Sequence, residues 1–177
     1  MFVGIDCGPE LCGFAFIETS HQAKPRLVLA AHDKPSFIEP ARPDYRYAME
    51  QIQGYAFNPS RVKHLVETAR NEGRLERALQ DCSLLVFSAR EARSTFCRTP
   101  RASDAQVRLV VDDVLDIQVK IKAAIRAHVY DAALVAMLSM RANGVHIELS
   151  QDAEARLVGL QALENEKRNA KRKGKAA

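Results

Sequence analysis

Four side chains are chemically out of keeping with their neighbours. In FVGIDCGPELCGFAFIE, residues 2–18, the carboxylate of Asp6 falls inside a run of strand-forming apolar residues. Glu50 has a similar setting in YRYAMEQIQGY, and in HVYDAALVAML His128 and Asp131 stand three residues apart ahead of an almost wholly apolar stretch. A charge in such a place costs several kcal/mol unless something pairs with it. Two strand carboxylates plus a His and an Asp on one helical face make four metal-capable groups in apolar surroundings. Each also has an ordinary reading. Asp6 could bond to turn amides, Glu50 could sit at an exposed strand edge, and His128 could be a satisfied core histidine.

Bringing these groups together is the task of the elements that carry them. Alternation predicts strands over residues 2–7 and 12–18, joined by a tight turn at GPEL, with RLVLAAHD at 26–33 completing a meander. Pro35, Pro40 and Pro43 mark a loop, and residues 45–52 read as a fourth strand. Asn58-Pro59-Ser60 is a good helix start, and the pattern then runs helically to Gln80. CSLLVFSA at 82–89 is a short buried strand, and residues 90–102 form a short helix or turn plus loop. Ser103-Asp104 caps a helix to about Leu115, a further helix covers roughly 119–141 with a break near Ala127, and a last amphipathic helix spans about 151–165. Three strands in a row, then strands alternating with helices, imply an α/β protein with a mixed sheet flanked by helices.

The chain of 177 residues, 47% hydrophobic, suffices for one domain with a core. No apolar stretch is read as approaching the ~20 residues that span a bilayer, and no signal-peptide pattern opens the chain, so a cytoplasmic protein without membrane contact is expected. Cys7, Cys12, Cys82 and Cys97 show neither zinc-ligand spacing nor a disulfide framework. The net charge of +4 is uneven: the last twelve residues, with Lys167, Arg168, Lys171, Arg172, Lys173 and Lys175 against Glu166, carry +5. Such a tail is a solvated, disorder-prone end or a source of attraction to phosphate.

Taken in order, the segments resemble RuvC, the Holliday-junction resolvase family. FVGIDCGPELCGFAFIE is similar to its first strand, turn and second strand. YAMEQIQGYAFNPSRVKHLVETARNEG is similar to its Glu-Gln segment, substrate loop and long helix, FSAREARSTFCRTPRASDAQVRLVV to the next strand through a helix opening near Ala-Gln-Val, and HVYDAALVAML to its closing helix. The likeness covers residues 1 to about 143. It implies an RNase H-like fold with a five-stranded mixed sheet, a nuclease domain over residues 1–150, and a C-terminal helix and basic tail over 151–177. It also implies hydrolysis of a phosphodiester with two Mg²⁺ ions, for which Mn²⁺ can substitute. Asp6 would bridge the ions, Glu50 and Asp131 would each bind one, and His128 would ligate or orient water.

On the substrate side, residues 51–58 match the family's junction loop, making Gln51, Tyr55 and Phe57 candidate DNA contacts, with an aromatic stacking on an unpaired base. Arg90, Arg93, Arg98 and Arg101 belong to the most basic internal stretch, suited to backbone phosphates. Arg93 falls where the family has a lysine, whereas the family's second lysine lands on Asp104, a departure. Because a four-way junction is resolved by two symmetric nicks, the resemblance implies a homodimer acting on branched DNA. The divergence suits a bacterial, phage or viral source. A non-catalytic DNA-binding relative and an RNase H-like nuclease with another nucleic-acid substrate are the alternatives. A small-molecule kinase relative would need a phosphate-binding Gly-rich segment later in the chain, and none is evident; no organic cofactor is expected.

Overall fold

A strand that is apolar on both faces must be covered on both faces, and β1 (Phe2–Asp6) is buried along its length up to its final carboxylate. The computed structural model describes residues 1–20, 23–51 and 62–176, with side chains described through residue 170. β1 lies inside a six-stranded sheet of order β5-β4-β1-β2-β3-β6. β2 (Cys12–Ser20) and β3 (Ala23–Asp33) complete the antiparallel meander, while β4 (Arg46–Gln51) runs parallel to β1 and β5 (Ser83–Ser88) parallel to β4. The expectation of five strands is corrected by β6 (Asp116–Ile117), which pairs with Arg26 and Leu27 of β3. Two residues are too few to show a period.

One face of the sheet, bearing Val3, Ile5, Phe14, Tyr47 and Met49, packs with Leu75 and Leu79 and with Ile38 of a 3₁₀ turn, Pro35–Ile38. Leu75 belongs to α1 (Val62–Ala78). Against the other face lie α2 (Ala89–Cys97), α3 (Asp104–Val114) and α4 (Arg126–Ala142), with α5 (Gln151–Ala176) packed on α3. Two local devices fix the starts of these helices. The Ser88 hydroxyl accepts from the Glu91 N–H, and the Gln106 side chain accepts from the Ser103 N–H at 2.8 Å. The helix expected over 119–141 begins later, as a 3₁₀ turn at Ala123–Ile125 followed by α4. The Gln118 N–H still bonds to Leu27 O, so the chain stays tied to β3 before it can turn helical. α5 continues as helix to Ala176, beyond the expected 165, in a segment rich in the good helix formers Ala, Lys and Arg.

α4 sits unusually low on the sheet because the strands beneath it offer no bulk. The register aligns Ala48, Gly4, Ala15 and Ala30 across four strands. A Cβ added at Gly4 would stand 1.8 Å from Ala132 O, and one at Gly13 would stand 2.5 Å from His128 O. Residues Ala132 to Met140 are all buried there. This helix with its 3₁₀ lead, Ala123–Ala142, is long and apolar enough to cross a membrane, at a mean hydropathy of 1.2. That corrects the expectation that no apolar stretch nears that length; the apolar surface is spent on the sheet.

Candidate active site

The register that lays small residues under α4 sets a second row one step further along the strands. Asp6 pairs with Gly13 and Gly13 with His32, while Ile5 pairs with Met49, which brings Glu50 beside Asp6. Asp6 is two residues beyond Gly4 and so shares the face toward α4. The order across the sheet is Glu50, Asp6, Gly13, His32. Gly13 leaves a gap in this row, and His128 stands over it.

From that gap His128 reaches both ways. Its Nδ1 lies 2.9 Å from Asp6 Oδ2, so against an ionised carboxylate Nδ1 carries the proton. Its ring stacks on His32 with centroids 4.6 Å apart and planes 4° from parallel. One helical turn along α4, Asp131 accepts two hydrogen bonds from Arg93 Nη2, at 2.8 and 2.9 Å. This pair is largely shielded, with 24% of the Arg93 side chain and 19% of Asp131 exposed. Arg93 Nη1 also donates to Ala102 O at 3.1 Å, while its Nε is buried without a partner.

The electrostatics are those of a crowded acid cluster. Burial first, and then the charges of Asp6 and Asp131, push the Glu50 carboxyl up to about 8, with Arg93 pulling the other way. Burial also raises Asp131 against the lowering effect of Arg93, and Asp6 and Asp104 add to the rise. The hydrogen bond to Asp6 raises His128 despite its burial, whereas burial and the neighbouring His128 lower His32. Asp104, at the start of α3, thus adds negative charge where the resemblance leads one to expect a lysine.

This donor set fits a hard divalent cation: three shielded carboxylates from β1, β4 and α4 repel one another and have one internal cation between them. Among the described residues, no three His, Cys, Asp or Glu side chains already stand together at metal-holding distances. Two contacts engage the would-be ligands, Arg93 on Asp131 and His128 on Asp6. The cluster is therefore assembled by the backbone, with the Asp6 and Asp131 carboxylates turned to internal partners.

The remaining sequence candidates divide. Gln51 is exposed at the end of β4, opposite Ser88, and Arg90 is exposed on the first turn of α2, so both flank the acid row. Tyr55 and Phe57 lie outside the described residues, as does the helix start at 58–60. Arg93 is turned inward onto Asp131 and is not a surface group. Arg98, in the left-handed region at φ 58°, is ion-paired with Glu154 of α5. Arg101 is exposed, and its carbonyl accepts from Arg168 at 3.1 Å. Sequence reasoning missed His32; the signal was its place at the end of β3, level with Gly13 and Asp6. The four cysteines form no disulfide.

No protein-family model matches the sequence, and no curated protein does. Solved structures do match. A Thermus thermophilus RuvC structure superposes with a TM-score of 0.58 at 16% identity, over 84% of this chain and 98% of that one. T. thermophilus RuvC in complex with Holliday junction substrate gives 0.61 at 15% identity, with the same coverage. The chain has the RuvC fold, an RNase H-like α/β architecture.

Proposed function

We propose that a protein with this fold and this acid row is a metal-dependent endonuclease that resolves four-way or otherwise branched DNA by paired symmetric nicks, working as a homodimer. The observation that carries the reading is the convergence of Asp6, Glu50 and Asp131 in one shielded row, where burial first and then the charges of Asp6 and Asp131 push the Glu50 carboxyl up to about 8. Acids held this close have a use when a cation joins them. Asp6, Glu50 and Asp131 would hold divalent ions, which supply charge neutralisation of the phosphodiester and a nucleophile at neutral pH.

The chain's own residues do the rest. His128 fixes the Asp6 carboxylate through Nδ1 and leaves Nε2 to hold or pass a proton, with its ring braced flat against His32. Arg93 neutralises Asp131 and, once released, offers its fork to a phosphate. Gln51, Arg90 and Arg101 are exposed for backbone contact. The likeness to a RuvC bound to a Holliday junction supports a branched substrate.

A second reading rests on one specific observation. Arg93 already satisfies both oxygens of Asp131, which is what a binding protein that has given up its metals would look like.

Nicking of a synthetic four-way junction, compared with a linear duplex of equal length, decides between them. With Mg²⁺ the junction is cut in preference to the duplex, and EDTA or Asp6→Asn abolishes cutting. Activity that survives either treatment contradicts the mechanism, junction binding with no cutting supports the second reading, and equal rates on both substrates leave a nuclease that is not a resolvase.

A further inference from the structure

We propose that the cleft between α1 and the 3₁₀ turn Pro35–Ile38, on the opposite face of the sheet from α4, binds the phosphate backbone of a nucleic-acid strand leading away from the acid row. The cleft has a volume of about 770 Å³, and its walls include Lys34, Arg70, Arg74 and Arg77 together with Glu10 and Glu39.

The sequence of α1 explains why the arginines line up. The helix buries Thr68, Asn71 and Leu75, and Leu79 follows just beyond it in the same core. Arg70 and Arg74 precede the buried Asn71 and Leu75 by one position, and Arg77 follows Arg74 by three, so the three share one flank of the helix beside the buried stripe, and all three are exposed. Among the described residues, neither Arg70 nor Arg77 nor the Lys34 ammonium has a carboxylate within 4.0 Å, and Arg74 reaches only Asn71 Oδ1 at 3.5 Å. By contrast, Arg42, Arg98, Arg108 and Arg156 each hold an acid, so the α1 arginines belong with Arg90 and Arg101 among the described ones that do not. Like charges one turn apart destabilise a helix by a few tenths of a kcal/mol. Arg77 is partly compensated by its place in the last turn of α1, and among the described residues the cleft's Glu10 and Glu39 form no ion pair within 4.0 Å with the arginines, so a ligand of opposite charge would offset the remainder.

Position and spacing identify that ligand. Asn71 is 4% exposed, and its Nδ2 donates to Gly8 O at 2.9 Å and Pro9 O at 3.1 Å, clamping the cleft to the turn that leaves Asp6. On the other wall, Lys34 follows His32 by two residues, and His32 stacks on His128. The cleft therefore opens at the same sheet end as the acid row. At 1.5 Å per residue the three arginines extend along roughly 10 Å of helix, a length over which one strand presents about three phosphates. Guanidinium forks match phosphate oxygens.

This inference takes its ligand from the nuclease reading, but its test measures binding alone. Affinity for a four-way junction is measured in EDTA across a salt series, for the wild type, for Arg70→Gln/Arg74→Gln/Arg77→Gln and for Glu10→Gln/Glu39→Gln. Each phosphate contact contributes about 0.9 to the slope of log affinity against log salt, so the triple variant should lose about 2 to 3 of that slope. The double variant keeps every arginine and removes the two opposing acids. It should bind about 2- to 5-fold more tightly at low salt, which keeps the proposal testable even if the triple variant misfolds. A wild-type slope in a folded triple variant, or unchanged affinity in the double variant, overturns the cleft. So does displacement of poly-glutamate, but not DNA, by the arginine changes, since that would mark an acidic protein partner. A wild type that nicks junctions while the slope stays fixed loses only the cleft, and one that binds with the expected slope changes but never nicks loses only the nuclease.

Discussion

Glu50 sets the first expectation at the scale of single residues. Its carboxyl stands at about 8 in the fold, against an ordinary 4.5. Between those values the folded chain holds a proton that the unfolded chain has lost, so stability falls as pH rises through that window. Asp131 and His128 are also raised and act in the same direction; His32 is lowered and opposes them. In EDTA the melting temperature should therefore drop between about pH 5 and pH 8. Glu50→Gln should flatten that drop, and a rising or level wild-type profile would contradict the proton assignment. Mg²⁺ should release the proton and bind more tightly as pH rises. Arg93 gives the second expectation. Arg93→Gln leaves Asp131 without its partner and should cost about 1–3 kcal/mol without metal, less than the 3–5 of a fully buried pair because both groups keep some solvent. The same change frees Asp131, so Mg²⁺ should recover most of the loss in a thermal titration. A loss that Mg²⁺ leaves untouched would make the pair purely structural. Asp6, Glu50, His128 and Asp131 could be singled out in the sequence because each is polar where its neighbours are not. The inward turn of Arg93 could not, because it depends on Asp131 lying across a helix interface from a residue 38 positions away.

At the scale of elements, the site exists because α4 can lie almost on the backbone of β1 and β2. Gly4→Ala would put a methyl 1.8 Å from Ala132 O, and neither backbone can yield cheaply. The expected cost lies at or above the upper end of the ~1–3 kcal/mol usual for overpacking. Chemical denaturation measures it, and a change below about 1 kcal/mol would mean that α4 sits higher than described. Gly13→Ala meets His128 O at 2.5 Å and should displace His128 from Asp6 as well. Most elements were legible because alternation and helical periodicity are local signals: the meander, β4, β5 and α3 follow from them, although β5, expected to be buried, is a half-exposed strand at the sheet edge. β6 was hidden because two residues carry no period, and the start of α4 was misplaced because the bond from Gln118 to Leu27 is a long-range constraint. α5 ran past its expected end because basic composition suggests a solvated tail, while the same residues are good helix formers.

Over the whole molecule, charge is sorted by position. Acids converge at one end of the sheet under α4, exposed Arg90 flanks them, the arginine flank of α1 lies on the far face, and the basic end of α5 touches the α2–α3 loop through Arg168 and the Arg101 carbonyl. On the proposed function, a polyanion would be held by Arg90, by the arginine flank of α1 and by the basic end of α5, while the acid row would need a cation before a phosphate could approach it. The measurement that bears most directly on this arrangement is anomalous scattering from crystals soaked in Mn²⁺. Manganese should appear among the Asp6, Glu50 and Asp131 carboxylates, with Arg93 released from Asp131. Saturating Mn²⁺ that leaves no peak there, with the Arg93 fork still closed on Asp131, would contradict the metal-dependent nuclease.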